Sequence, residues 1–383
     1  MGTSLTVETS PALPRGLSHV AAGGSLDGRL YIAPTGIVAG KTAAAAVASG
    51  QAWSLAGGAL SFSTCSVVLR EGDQVIEAAA PFGDVLDWSE AEGPLVARHV
   101  GAALARLGKA RPPFAGVTMT SPKVMGIVNV TPDSFSDGGC FFDAEAAIAH
   151  GRALLEAGAD ILDVGGESTR PGAPPVPPGE EIRRIRPVVQ ALANLGAVVS
   201  IDTRRAAVME AAVAVGAAII NDITALAGDP GSLAVAAASG ADVILMHMQG
   251  EPGTMQTDPR YGFAPLDVYD YLAERVQACR DAGIPADRLC IDPGIGFGKT
   301  VQHNLEILAR LSLFHGLGLP ILLGVSRKSF IGTLSRGEPA TQRLGGSLSA
   351  ALLGLDQGVQ ILRVHDVVET VQAVAIWRGM RGV

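Results

Sequence analysis

The sequence is poor in aromatic residues and in cysteine, and it lacks a long hydrophobic run. Aromatic residues make up 4% of its 383 positions, and its four cysteines are scattered with no C-x-x-C pair. Neither a disulfide framework nor a zinc site is indicated, so a reducing, cytoplasmic compartment fits best. Residues 42–69 carry no charge, but Gly, Ser, Thr and Gln interrupt them, so we expect no membrane span and no membrane partner.

An excess of basic residues and several catalytic motifs are also missing. The net charge is −8 and the basic residues form only short clusters, which argues against nucleic acid as a partner. There is no H-E-x-x-H and no G-x-S-x-G, so zinc hydrolysis and serine esterase chemistry have no support. Two segments, GIVAGKT (36–42) and GIGFGKT (294–300), are each one residue short of a P-loop, which excludes the phosphate cradle of an ATPase.

The first third of the chain predicts a small α+β extension of unknown role. Residues 1–29 are rich in Gly, Pro and Ser and are typical of a mobile lead-in. Residues 30–110 carry three β-rich runs and one helical pattern, and residues 111–122 resemble a linker. The predicted elements are the strands Leu30–Ile32, Ser61–Leu69 and Gln74–Ala79, the last two as a hairpin, and a helix over Glu92–Leu107.

From residue 123 to residue 383 the chain alternates short apolar runs with amphipathic helical stretches. Apolar strands of this kind are typical of a parallel sheet covered on both faces. Eight β-α units in about 260 residues predict a (β/α)8 TIM barrel, with a doubly wound open sheet as the alternative. The predicted strands are Val124–Val130, Asp160–Gly165, Val198–Asp202, Ala218–Ile223, Asp242–His247, Leu289–Asp292, Pro320–Ser326 and Ile361–His365.

Nearly every predicted strand ends in polar residues. In a barrel these ends converge on one mouth, where active sites are built. Acids beside amides suit a planar heterocycle that carries N–H donors, and cations beside Asn129 suit a phosphate held with Mg²⁺. His247 is interpreted as a buried structural histidine. The polar positions are Asn129, Asp163, Glu167, Arg170, Asp202, Asn221, Asp222, His247, Asp292, Lys328, Arg363 and His365.

The same blocks resemble the dihydropteroate synthase family, in order from residue 123 to the C-terminus. The matching segments are VMGIVNVTPDSFSDGG (124–139), ADILDVGGESTRPG (159–172), VSIDT (199–203), IINDI (219–223), ILMHMQG (244–250), IDPGIGFGK (291–299), GVSRKSFIG (324–332) and RVHDV (363–367). This resemblance implies a TIM barrel that condenses 6-hydroxymethyl-7,8-dihydropterin pyrophosphate with p-aminobenzoate. It also implies a homodimer, whereas sulfonamide sensitivity stays open.

The resemblance further implies roles for particular residues. Asp202, Asn221, Asp292 and Lys328, with Met246, would line the pterin pocket. Asn129 would ligate Mg²⁺, and Arg363 and His365 would hold the pyrophosphate. The p-aminobenzoate site would be shaped by Thr169, Arg170, Pro171, Phe297 and Ser329, and a first loop with Asp133, Phe135 and Ser136 would close over it. Of these, Lys328, Arg363, Asp202, Thr169 and Arg170 are the expected catalytic residues.

Two other readings share the barrel. A pterin-binding methyltransferase that passes a methyl group to a corrinoid would use several of the same acids, but it would not need STRPG (168–172) or SRKS (326–329). A non-catalytic pterin-binding paralogue would be favoured by loss of Asn129, Lys328 or Arg363, and none of these is lost.

Overall fold

The computed structural model describes residues 5–17, 25–130, 140–168 and 175–383, without the side chains of 140–143. Residues up to about 110 form a small sheet with helices, and the remainder forms a β/α barrel. The strands of the extension are β1 (Thr6–Thr9), β2 (Leu30–Ala39), β3 (Trp53–Leu55), β4 (Leu60–Glu71) and β5 (Gln74–Pro81); its helices are α1 (Gly40–Ala48), α2 (Phe82–Ala91) and α3 (Pro94–Gly108).

The barrel consists of parallel strands separated by helices. Its strands are β6 (Lys123–Asn129), β7 (Ile161–Gly165), β8 (Val199–Asp202), β9 (Ile219–Asp222), β10 (Asp242–Met246), β11 (Leu289–Asp292), β12 (Leu322–Leu323) and β13 (Ile361–Val364). Its α-helices are α4 (Cys140–Glu156), α5 (Pro178–Asn194), α6 (Ala206–Val213), α7 (Ser232–Ser239), α8 (Ala264–Asp281), α9 (Val301–Leu308), α10 (Ser329–Leu334), α11 (Leu344–Asp356) and α12 (Val367–Arg381). Short 3-10 helices occupy Ala286–Arg288, Leu311–Leu317 and Ala340–Gln342.

The strand order confirms the predicted TIM barrel. Neighbouring strands run β11-β10-β9-β8-β7-β6-β13-β12, and all of these pairs are parallel. One parallel bridge between Ile291 and Ile321 closes the ring. Every residue of β7 is buried, because helices cover the outside of the ring while side chains fill its inside. The open doubly wound sheet is therefore wrong.

The segment predicted as a linker closes the amino-terminal end of the barrel. Phe114 and Val117 exchange backbone hydrogen bonds of 2.9 Å and form a tight antiparallel bridge. Phe114 and Met119 are buried against Met125 and Ile161, at the starts of their strands. Apolar side chains at positions 114 and 119 explain this packing, because a linker in water would leave them exposed.

The extension is a two-layer sandwich whose second sheet face meets the barrel. Along β4, Val67 faces α2 and α3, whereas Val68 faces the barrel. Tyr31 and Val75 lie on the barrel side with Val68, and they pack against a set of barrel side chains: Phe263, Leu266 and Leu313. Because a sheet buries one apolar face per neighbouring layer, this sheet needs both the helices and the barrel.

Charged pairs flank this apolar contact. Arg70 of β4 binds Asp267 at 2.8 Å and Asp270 at 2.7 Å, both on α8. The hydroxyl of Tyr31 donates to Asp270 at 2.9 Å. Glu77 of β5 pairs with Arg310 at 2.9 Å. The extension is thus joined to one side of the barrel by an apolar patch with a polar border.

Several elements of the extension differ from the sequence prediction. The hairpin β4–β5 is confirmed, but the predicted helix over Glu92–Leu107 begins at Pro94 and follows a separate helix, α2. Glu92 is a turn residue whose carboxylate accepts a hydrogen bond of 2.8 Å from the Leu17 amide. The predicted lead-in contains strand β1, because Thr6–Thr9 pairs in parallel with β5. In the part of the chain that the structure describes, no helix has the length and apolarity needed to cross a membrane.

Candidate active site

Five polar side chains from five strands meet at the carboxyl-terminal mouth of the barrel. Asp163 lies in β7, Asp202 and Asp292 end β8 and β11, Asn221 lies near the end of β9, and Arg363 lies in β13. Parallel strands in a closed ring bring these ends together, so residues up to 200 positions apart in sequence become neighbours. The predicted convergence of strand ends is therefore observed for these residues.

Arg363 binds two of the acids. Its Nε donates to Asp163 Oδ2 and its Nη2 donates to Asp202 Oδ2, each at 2.6 Å. Asn221 Nδ2 donates to the same Asp163 oxygen at 3.1 Å. Asp163 is fully buried, and within the described residues its Oδ1 atom has no partner. The two carboxylates fix the plane of the guanidinium and raise the pKa of Arg363, although burial alone would lower it.

Burial changes the ionisation of the other acids at the mouth. It raises the pKa of Asp202, an effect that Arg363 partly offsets and Asp163 reinforces. Burial also raises the pKa of Asp292, and the nearby Lys328 opposes this change. Carboxylates with raised pKa values beside fixed cations are typical of sites that bind or transform a polar ligand.

Two glycines bring the backbone close to these groups, and a Cβ added at either position would be in ordinary van der Waals contact with them. A Cβ built on Gly165 would lie 3.8 Å from Asp202 Oδ2 and 3.9 Å from Asn129 Oδ1. A Cβ built on Gly324 would lie 3.8 Å from Lys328 Nζ and 3.9 Å from Asp292 Oδ2. The amide and one carboxylate therefore lie around Gly165, and the ammonium and another carboxylate lie around Gly324, with no side chain at either glycine to separate them from a ligand.

Lys328 stands at the edge of the mouth because the chain before it is tightly bent. Arg327 has a positive φ of 59°, and its amide donates to Ser347 Oγ at 2.8 Å. The Lys328 ammonium donates to the Ile295 carbonyl and lies 4.7 Å from the centre of the Phe297 ring. Burial lowers the pKa of Lys328 to about 8, and Asp292 opposes the change.

Sequence reasoning missed Lys299, which stabilises the Gly-rich loop after β11. Its ammonium nitrogen lies 2.8 Å from His247 Nδ1 and donates to the carbonyls of Gly294 at 2.9 Å and Phe297 at 3.0 Å. Burial lowers the pKa of Lys299 well below its usual range. The sequence signal that could have identified this role is the GIGFGKT segment (294–300), because its lysine binds the carbonyls of its own loop. His247 is buried against this lysine, which is the structural role predicted for it.

The remaining predicted residues that the structure describes lie around the same mouth. Met246 is buried and pairs in register with Asp292, and Asn129 pairs in register with Gly165. His365 Nδ1 lies 3.0 Å from Ser326 Oγ. Phe297 is half-buried, and Ser329 is exposed at the start of α10. The predicted residues Asp133, Phe135, Ser136, Thr169, Arg170 and Pro171 lie outside the described residues.

Glu167 and Glu181 lie close together near the mouth, which the sequence did not predict. Asp222, which the sequence placed at the mouth, has a structural role instead. Thr203, which follows Asp202, donates to Glu181 Oε1 at 2.7 Å, and Glu167 pairs with Arg205 at 2.8 Å. Asp222 accepts hydrogen bonds from the amides of residues 224 and 226 and so fixes a turn, rather than facing the mouth with Asn221. Sequence proximity alone does not distinguish such a turn residue from a site residue.

Comparisons with known proteins agree with this geometry. A family model described as pterin binding enzyme matches residues 125–365. The dihydropteroate synthase of Escherichia coli strain K12 is 49% identical over 259 residues, which is 67% of this chain and 91% of that relative. A structure of Xanthomonas albilineans dihydropteroate synthase with 4-aminobenzoic acid is similar with a TM-score of 0.67 and 48% identity, over 71% of this chain and 98% of that one. Another, in complex with 7,8-dihydropteroate, has a TM-score of 0.63 and 43% identity, over 71% and 99% of the two chains.

Proposed function

The chain belongs to the family of pterin-binding enzymes, and from this membership we infer that it catalyses the dihydropteroate synthase reaction. It condenses 6-hydroxymethyl-7,8-dihydropterin pyrophosphate with p-aminobenzoate to give 7,8-dihydropteroate and pyrophosphate. The observation that carries this function is the group of acids, amide and cations that surrounds Gly165 and Gly324 at the mouth, with Asp163, Asn221 and Asp292 buried. Such a group can bind a pterin ring and an anionic leaving group side by side.

The pterin ring would be recognised by the acids and the amide. Asp202 and Asp292 would accept hydrogen bonds from ring and amino N–H groups, and Asn221 can both donate and accept. Lys328 would donate to a ring acceptor from above Phe297, and Met246 would supply an apolar contact. A buried carboxylate without its donor costs free energy, so this pocket would be selective for the pterin.

The pyrophosphate would lie on the Arg363 side of the site. Asp163 and Asp202 orient the guanidinium through Nε and Nη2, so Nη1 would be available to bind the leaving group together with His365. The amide oxygen of Asn129, which lies near Gly165, suits Mg²⁺, which prefers oxygen ligands and substrate phosphates. When bound, Mg²⁺ would neutralise charge on the leaving pyrophosphate.

In the reaction, the amino nitrogen of p-aminobenzoate attacks the pterin methylene carbon. A C–N bond forms, the C–O bond to pyrophosphate breaks, and the nitrogen loses one proton. Phe297 and Ser329, with Thr169, Arg170 and Pro171, would position the p-aminobenzoate ring, and Asp133, Phe135 and Ser136 belong to the loop that would close over it. Because an arylamine needs no strong base at neutral pH, these residues would act mainly by positioning and by stabilising the leaving group.

A coupling assay tests this function. We expect dihydropteroate and pyrophosphate to form only when both substrates and Mg²⁺ are present, and Asp292→Asn to lose at least about 30-fold in pterin affinity, from a mismatch of about 2 kcal/mol or more. Asp281→Asn, a change at the last residue of α8, is the matched control and should leave the pterin affinity unchanged. Full turnover in excess EDTA would contradict the metal assignment. Methyl transfer to cobalamin without dihydropteroate formation would favour the methyltransferase alternative.

The outer face of α11 and α12 supports a homodimer. Leu353, Val368, Ile376 and Met380 are large apolar side chains that are between 61% and 83% exposed. Exposed apolar residues on the two helices α11 and α12 are typical of a protein interface, and a second copy of the chain would bury them. Among the side chains that the structure describes, those of Cys65, Cys279 and Cys290 are buried free thiols, in keeping with the reducing cytoplasm expected from the sequence. Sedimentation of the wild type and of Ile376→Glu tests the dimer: only the variant should sediment as a monomer.

A further inference from the structure

The extension contacts the chain next to the active site at the segment just before α8. The Leu5 amide donates to the Gly262 carbonyl at 2.9 Å, and a Cβ on residue 262 would lie 3.2 Å from Leu5 Cγ. Asp267 accepts a hydrogen bond of 2.7 Å from the Gly262 amide, and its other oxygen binds Arg70 of the extension at 2.8 Å. Gly262 is therefore fixed from both sides by groups that the extension supplies or orients.

The neighbouring residue, Tyr261, extends from this segment toward the Gly-rich loop. Its side chain is buried, its ring packs edge-on against His303 with centroids 4.8 Å apart, and its hydroxyl donates to the Gly298 carbonyl at 2.7 Å. Gly298 is itself buried and has a positive φ of 59°. A carbonyl in such a bent, buried loop needs a donor, and Tyr261 provides it.

Gly298 lies between two residues that shape the site. Phe297 precedes it and faces the Lys328 ammonium at 4.7 Å, and Lys299 follows it and binds the carbonyls of Gly294 and Phe297. A shift of the Gly298 carbonyl would thus move both the Phe297 ring and Lys299, which stabilises the loop. Displacements of about 1 Å in a substrate-positioning group can change rates or affinities by up to about 100-fold.

We propose that Tyr261 is a positioning residue through which the extension sets the p-aminobenzoate side of the site. The route is a series of contacts: Leu5 and Arg70 fix Gly262 and Asp267, the Tyr261 hydroxyl fixes Gly298, and Gly298 fixes Phe297. The proposal rests on the proposed function, because it assigns Phe297 to the p-aminobenzoate site. It gives the extension a part in substrate binding that needs no contact between its described residues and the substrates.

Steady-state kinetics on the full-length chain test the proposal. Tyr261→Phe keeps the ring and removes only the hydroxyl. We expect it to raise KM for p-aminobenzoate about tenfold, the effect of one buried hydrogen bond, with kcat and KM for the pterin substrate within about twofold. Arg70→Met should raise the same KM about threefold. The double variant should equal Tyr261→Phe alone, since both changes act on one series of contacts.

A matched control separates this effect from general loosening of the interface. Glu77→Gln removes another ion pair between extension and barrel, with Arg310, and touches none of the residues on the route. It should leave both KM values unchanged. The proposal is overturned if Tyr261→Phe lowers only the melting temperature, or if Glu77→Gln raises KM for p-aminobenzoate as much as Arg70→Met does. The proposed function is tested separately: if the wild type does not form dihydropteroate, that function is wrong. The variants test the role of Tyr261 only when the wild type is active.

Discussion

Two arginines of this chain each bind two aspartates, one at the mouth of the barrel and one where the extension meets it. Arg363 lies between Asp163 and Asp202, and Arg70 lies between Asp267 and Asp270, all at 2.6 to 2.8 Å. The two clusters have the same composition and equally exposed arginines, but the aspartates at the mouth are 0% and 15% exposed, whereas those at the interface are 29% and 33% exposed. Composition alone therefore does not distinguish a reactive cluster from a structural one.

The two clusters also differ in what adjoins them. At the mouth, polar atoms lie around Gly165 and Gly324, which have no side chain to separate them from a ligand. At the interface, Leu5 packs against Gly262, and the aspartates also bind backbone amides and the Tyr31 hydroxyl. A charged cluster whose spare acceptors are used by the protein holds the fold together, whereas one that keeps a spare acceptor can bind a ligand.

The largest expected effect comes from breaking the cluster at the mouth. Arg363→Ala leaves Asp163 and Asp202 buried without their cation, which should cost about 3–5 kcal/mol of unfolding free energy. Removing the cation that would stabilise the leaving group should also reduce turnover by at least about 100-fold. Calorimetry should show a much larger loss of affinity for the pterin pyrophosphate than for the bare hydroxymethylpterin, since only the former carries an anion. Equal losses would mean that Arg363 orients the ring instead. Arg363→Lys keeps the positive charge but not the planar guanidinium that binds two carboxylates at once, so its turnover should lie between those of the wild type and Arg363→Ala.

Removing the extension should give the next largest effect. A chain beginning at Pro112 keeps Phe114, which a start at Thr118 would remove from the base of the barrel. It should expose Phe263, Leu266 and Leu313 and lose about 3–5 kcal/mol of unfolding free energy, at roughly 1.5 kcal/mol per side chain. Denaturant unfolding and light scattering measure stability and solubility. A shortened chain as stable as the full one would show that this contact does not stabilise the barrel.

The pH dependence should separate the mouth from the interface. Burial lowers the pKa of Lys328 to about 8, so its ammonium is present below that pH and lost above it. If the ammonium binds the pterin substrate, kcat/KM should fall about tenfold per pH unit above pH 8. Lys328→Arg should move this decline to higher pH. A wild-type profile that stays flat to pH 9.5 would exclude the charged lysine from binding.

Breaking the cluster at the interface should give the smallest effect. Arg70→Met leaves Asp267 and Asp270, which are about one-third exposed, able to bind water, so we expect a loss of about 1 kcal/mol of unfolding free energy. Urea denaturation of the full-length chain measures it. A loss of 3 kcal/mol or more would make the two clusters energetically alike, and the comparison would then rest on the surroundings of each cluster alone.

The sequence predicts the barrel far better than the extension, and the reason is physical. The strand predicted over Ala218–Ile223 is observed as Ile219–Asp222, because a strand buried on both faces is apolar throughout. The short strand β3 and helix α1 of the extension had no such signal, since their stability comes from packing on β4. Helix α9 begins at Val301 because Thr300 and His303 form a capping box, a local signal that apolar periodicity does not contain.

The active site likewise has features that the sequence predicts and features that it does not. Strand-end acids could be placed at one mouth because the ring geometry fixes where strands end. The pairing of Arg363 with Asp163, the brace formed by Lys299 and the turn role of Asp222 depend on side-chain directions that a pattern of residue types does not encode. These are also the features that decide which groups can face a ligand.

The single bridge between Ile291 and Ile321 makes one seam of the ring weaker than the others. Strand β12 has two residues, and this seam separates β11, which ends in Asp292, from the chain that continues to Gly324 and Lys328. Native-state opening follows the least-bonded boundary of a fold, so transient separation should begin there and increase the distance between Asp292 and Lys328. Amide deuterium exchange should then be faster at Ile291 than along β7, and a ligand that bridges the seam should slow it.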